Sequence, residues 1–231
     1  LFFSFKIIYN LTGNFLYSFI GSLFFISAAI LIHRGAIHLS LFAHWIILSG
    51  FYIEILESRF KNLFRILNIL LSLTIHFYFT IILFLFLVLI QICDYLEKQI
   101  KFKKILAEIF KISGFIILLM YFIGYFSINL NDGLGWGYGV YNFNLNSFFN
   151  PSGFTNIDIF SWSLFLPNQN YQNYEIEGFS YLGISGIFFL FLLIVNLFYK
   201  KYYTIFSNKK LLIIFIPFII LAVSNNINFG A

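Results

Sequence analysis

Charge is scarce in this sequence. Asp, Glu, Lys and Arg together supply 10% of its 231 residues, against about 25% in soluble globular domains. Apolar residues supply 61%, where about 45–50% is usual. A water-borne globule of this size could not hide that much apolar surface. Cysteine is nearly absent too: Cys93 is the single thiol, so no intrachain disulfide can form and its redox context is unreadable. Only 3 prolines stand against 35 phenylalanines and 15 tyrosines. A cytosolic enzyme, a disordered chain and a disulfide-stapled secreted scaffold are thereby excluded. The mean hydropathy of +0.90 fits a polytopic membrane protein. The sequence starts at Leu1 without a charged leader and small-residue cleavage site, and it stops soon after an apolar run, as expected of an internal piece of a longer protein.

What is present is a series of apolar runs, at residues 15–32, 42–56, 66–92, 112–128, 179–198 and 211–223. Backbone groups in lipid must pair internally, so runs of this length are expected to be helices. The two-residue alternation of a membrane barrel strand is missing.

Lys and Arg orient the bundle. Lys6 precedes the first run; Arg59, Lys61 and Arg65 follow the second. Lys98, Lys101, Lys103, Lys104 and Lys111 follow the third, and Lys200, Lys201, Lys209 and Lys210 follow the fifth. If every run crossed once, the clusters around residues 59–65 and 98–111 would face opposite compartments. The conflict vanishes if residues 66–92 leave and return to the same side. As one straight helix this run of 27 residues would reach about 40 Å, and His76 sits near its middle. We read it as two helices broken near His76; the competing reading is one long tilted helix. The expected fold is an all-α, polytopic transmembrane bundle of about five full spans plus one broken or re-entrant helix pair.

In residues 93–111, Tyr95, Phe102, Leu106, Ile109 and Phe110 share one helical face and Lys98, Lys101, Lys104, Glu108 and Lys111 the other. This predicts a cytoplasmic interfacial helix resting on an anionic leaflet. Topology and lipid charge account for these lysines, so no nucleic-acid partner is expected; the partner is the bilayer.

With the lysines inside, residues 33–41, His44, Trp45, the tip near His76 and the long loop 129–178 collect on the outer, periplasmic side. That loop holds no Lys or Arg but ten Asn, six Gly and twelve aromatics, a density that argues against disorder. Asn amides pair donors with acceptors and Trp or Tyr faces offer flat platforms. The mixture suits a neutral polyhydroxylated ligand such as a sugar; an ordered cap with its aromatics in the interface belt is the other reading.

Arg34, flanked by His33 and His38, has the chemistry to clamp a phosphate, or to meet lipid headgroups. His44 and His76 join the same side, and an ionisable group within an apolar run is a functional candidate. The histidine spacings match no zinc pattern. Mg2+ or Mn2+ held by Asp132 or Glu177 together with a ligand phosphate fits better. Glu54 reads as part of the inner interface. No local context marks a catalytic dyad.

Three stretches, residues 33–48 (HRGAIHLSLFAHWIIL), 136–151 (WGYGVYNFNLNSFFNP) and 163–183 with its SLFLP and EGFSYLG, resemble an uncharacterised family of bacterial polytopic membrane proteins related to GT-C glycosyltransferases. The resemblance implies a GT-C-like fold in the bacterial inner membrane. It implies transfer of a sugar from a polyprenyl-phosphate donor on the periplasmic side, often with a divalent metal. On that likeness Arg34 and His38 would meet the carrier phosphate, and Asp132, Trp136 and Glu177 the sugar. A transporter or flippase for a lipid-linked sugar, and a non-catalytic membrane scaffold, are the alternatives.

Overall fold

A computed structural model of the protein describes residues 1–28, 31–32, 35, 39–127, 145–151, 161–167 and 181–198. The described residues are all-helical, without strands. The helices are α1 (Phe2–Thr12), α2 (Phe15–Ile26), α3 (Trp45–Ile55), α4 (Lys61–Ile75), α5 (Phe77–Leu96), α6 (Phe102–Ile123) and α7 (Gly183–Phe198), with short helical turns at Leu39–Phe42, Tyr125–Ser127 and Leu145–Phe148. Among the described residues α5 and α6 are long and apolar enough to cross a membrane. The chain divides into two compact units, Leu1–Ser27 with Arg34–Asn129, and Ala28–His33 with Leu130–Ala231.

In the first unit, α1 and α2 form a hairpin whose turn is written in local chemistry. Gly13 takes φ 63° and its N–H closes α1 on the Tyr9 carbonyl; an L side chain resists that left-handed backbone. Asn14 then caps α2, its side chain accepting from the Tyr17 N–H at 3.1 Å. Small residues let the two helices approach: Ser4, Ser18 and Ser22 are buried, and a Cβ on Gly21 would stand 2.8 Å from Ile8 Cδ1. The pair joins the rest of the unit through Phe3, stacked on Trp45 at 6.2 Å and packed on Tyr52 at 5.9 Å.

Helices α4 and α5 make a second hairpin, with the break at His76 and not one long helix. The His76 N–H closes α4 on the Ser72 carbonyl at 2.9 Å, its backbone is extended (φ −163°, ψ 131°), and its side chain caps α5. Ser72 and Thr80 hydroxyls meet across the pair at 3.0 Å. Further from the tip Arg65 and Asn68 of α4 line one small cavity with Leu83 and Leu87 of α5. The pairing is antiparallel about residue 76. The core consists of Ile46, Ile69, Phe79, Leu83, Leu87 and Ile112.

Helix α3 lies along this hairpin. Gly50 permits the contact, since a Cβ there would fall 2.6 Å from Leu83 Cδ2. The Asn68 amide donates to the Ile46 carbonyl at 3.2 Å, and the Ser49 hydroxyl donates to Asn68 Oδ1 at 2.6 Å. Helix α6 completes the group; its Ile105 and Ile112 are buried, whereas Phe110 (75% exposed) and Phe122 (74%) face outward.

Three expectations change. The stretch 93–111, expected as one surface helix, is divided between the end of α5, a turn at 97–101 and the first turns of α6. The turn is a helix-terminating motif in which Lys98 takes φ 59° while the Gln99 and Lys98 N–H groups return to the Asp94 and Tyr95 carbonyls at 2.8 Å. The run expected at 112–128 is therefore the second half of a longer helix. Helix α1, which was not among the expected runs, carries Lys6, Tyr9, Asn10 and Thr12 and is too polar to stand out.

The second unit contains described pieces of the long loop. Trp162 N–H donates to the Pro151 carbonyl at 2.8 Å, and Leu182 N–H to the Phe148 carbonyl at 3.2 Å. Tyr181 is buried against Trp162, Leu166 and Ile187. Ser163 closes a tight turn by accepting from the Phe165 and Leu166 N–H groups at 3.1 Å. The run 211–223 lies outside the described residues.

Candidate functional site

Helices α3 to α6 have two chemically distinct ends. Glu54, Arg65, Gln91 and Glu108 gather at one, called the base. His44, His76, Phe79 and Tyr125 gather at the other, the apex. The fold-back at His76 brings both basic stretches, around residues 59–65 and 98–111, to the base.

Of the seven residues singled out in sequence, Arg34, His38, Asp132, Trp136 and Glu177 lie outside the described residues. The other two come together. His44 meets the edge of the Phe79 ring with centroids 5.6 Å apart, and His76 meets the same ring at 6.1 Å. Phe79 is 3% exposed, so it is a fixed platform, while both imidazoles are half-buried. His76 Nδ1 accepts from the Tyr78 N–H at 3.2 Å. That bond uses Nδ1 as an acceptor. Tyr78 packs on His76 at 4.9 Å and Phe77 on Tyr125 at 5.9 Å, giving the apex a polar-aromatic rim. Among the described residues no three His, Cys, Asp or Glu side chains cluster as metal ligands.

The base was less legible. Glu54 accepts from Arg65 Nε at 2.6 Å and from Arg65 Nη2 at 2.5 Å, a two-pronged pair with 18% and 14% of the side chains exposed. Lys61 Nζ donates to the Glu54 carbonyl at 2.7 Å, tying off the end of α3. Arg65 Nη1 donates to Asn62 Oδ1 at 2.9 Å, and Asp94 and Glu108 add attraction to the guanidinium. Gln91, 2% exposed, donates to Glu108 at 2.6 Å. Both charges of the Glu54–Arg65 pair are satisfied, so the pair holds α3 to α4. Sequence reasoning placed Glu54 and Arg65 on the inner side but did not pair them, and passed over Asn68 and Gln91. Their signal was the isolated polar side chain inside an apolar run, which lipid penalises unless it has a partner.

The whole chain, residues 1–231, matches the family model described as Domain of unknown function (DUF6311), and the chain belongs to that family. Neither a curated protein nor a solved structure matches it.

Proposed function

We propose that this member of the DUF6311 family is a multi-span protein of the bacterial inner membrane that works as a GT-C-like glycosyltransferase, taking sugar from a polyprenyl-phosphate donor at its periplasmic face. The observation that carries the reading is the separation of ends: the fold-back puts the basic stretches at the base and His44, Phe79 and His76 at the apex. By the positive-inside rule the base is cytoplasmic and the apex periplasmic. Exposed rings such as Phe110 and Phe122 are costly in water but not in hydrocarbon. The sugar-transfer chemistry itself rests on the resemblance of residues 33–48, 136–151 and 163–183 to an uncharacterised family of polytopic membrane proteins related to GT-C glycosyltransferases.

In such a transfer an acceptor hydroxyl adds to the anomeric carbon as the bond to the carrier phosphate breaks, the polyprenyl phosphate leaving with the bonding pair and the hydroxyl proton passing to water. Negative charge then grows on the phosphate, and donors placed beside it lower the barrier. His76, Arg34 and His38 are the groups we assign to that role, with His44 beside Phe79, and the resemblance assigns Asp132, Trp136 and Glu177 to the sugar. A divalent Mg2+ or Mn2+ would neutralise the same charge; its candidate carboxylates, Asp132 and Glu177, lie outside the described residues, and no step is assigned to it. The helix interruption at His76 also suits a flippase for the same lipid-linked sugar.

The test is transfer by the purified full-length protein from a panel of radiolabelled polyprenyl-phosphate hexoses, with His76→Asn beside it. Asn keeps the helix cap but loses the imidazole, and turnover should fall about 10²-fold with thermal stability unchanged. No transfer from any donor, or full turnover in His76→Asn, overturns the assignment. Translocation of the lipid-linked sugar without transfer would favour the flippase.

A further inference from the structure

The base contains a cleft between α4 and α6 that the transfer reading does not use. Its volume is about 100 Å³, and Asn62, Arg65, Glu108 and Lys111 line it together with Ile66, Leu87 and Ile112. Arg65 is compensated by Glu54, which leaves Lys111 and Glu108 to set the charge of the cleft. They stand one turn apart on α6, yet Lys111 has no ion-pair partner among the described residues. Glu108 is held in place by the buried Gln91 amide. The Asn62 carbonyl oxygen is taken up by Arg65, so its NH2 is the group left to donate.

A held anion and an unpaired cation one turn apart select a ligand with both charges and little net charge. Ile66, Leu87 and Ile112 give the same cleft an apolar wall, and on the positive-inside reading the base lies at the headgroup level of the cytoplasmic leaflet. We propose that the cleft binds the headgroup of a phosphatidylethanolamine lipid, with its phosphate on Lys111 and Asn62 and its ammonium on Glu108. An anionic glycerol headgroup offers Glu108 neutral hydroxyls only, without a cation to balance its charge. A choline headgroup has no N–H to donate, and quaternary ammonium sites are built from aromatic rings. Among the described residues no ring lines this cleft, in a chain that is 23% aromatic. The proposal rests on the membrane reading of the previous section and is independent of sugar transfer.

The experiment uses the full chain, first washed as membranes in alkaline carbonate, then purified, delipidated and titrated with dioleoyl phosphatidylethanolamine, phosphatidylcholine or phosphatidylglycerol under native mass spectrometry. The expected result is retention through the wash and about tenfold tighter binding of the ethanolamine lipid. Glu108→Gln should abolish that preference. Lys111→Gln, at an exposed position that does not endanger folding, should weaken the same lipid about as much. Equal binding of the three lipids, or a preference unchanged in both variants, overturns the site while leaving the membrane reading standing. Release of the protein by carbonate overturns both.

Discussion

The two helical hairpins of the first unit reach the same shape by opposite means. In α1–α2 the turn dictates the pairing: Gly13 supplies a left-handed backbone and Asn14 a cap, and the helices meet over small side chains. In α4–α5 no glycine or proline marks the turn. One residue, His76, ends one helix and caps the next in an extended backbone that any residue adopts. The hairpin is specified instead by what lies between and beside its legs, namely Ser72 with Thr80, Asn68 with Ser49, and Arg65 with Glu54. A hairpin encoded in its turn is broken at the turn; one encoded in its flank is broken at the flank.

The largest effect should therefore come from Arg65→Met, which strands the mostly buried Glu54 carboxylate. Unfolding in detergent should become easier by about 2–3 kcal/mol, and the double variant with Glu54→Gln should recover most of the loss. If the single and double variants are equally weakened, the pair does not hold α3 to the hairpin. Next is Gly50→Ala, whose new methyl collides with Leu83. A cost of about 1–2 kcal/mol is expected from overpacking, relieved by adding Leu83→Val; absence of relief would mean that α3 does not pack there. The smallest is Gly13→Ala, about 1 kcal/mol from the left-handed backbone. It should loosen the first hairpin while leaving labelling of Cys93, buried at the base side of α5, unchanged. Faster reaction of Cys93 would show that the hairpins are not independent.

The same contrast explains what the sequence disclosed. The break at His76 was readable because the distribution of Lys and Arg is a global constraint: no arrangement of single crossings kept both basic stretches on one side. The hairpin α1–α2 carried the stronger local signals, Gly13 followed by Asn14, but was missed because Lys6, Tyr9, Asn10 and Thr12 dilute the hydropathy of α1. The turn at Lys98 was illegible for a different reason. A lysine in the left-handed backbone carries no compositional mark, so an amphipathic period was read straight through it. At the site, the meeting of His44 and His76 follows from sidedness plus the break. The Glu54–Arg65 pair needed the register of α3 against α4, which no periodicity supplies.

The single-residue turn at His76 bears on how the protein is made. With 15 residues in α4, that leg extends about 22 Å, short of the hydrocarbon core, and it carries the Asn68 amide, whose acceptor is the Ile46 carbonyl on α3. Alone in lipid it would leave that amide without its acceptor. On the membrane reading proposed above, the two legs, with α3 already waiting beside them, would leave the translocation machinery as one package, and a ribosome pausing between residues 75 and 96 would hold a segment with nowhere to settle.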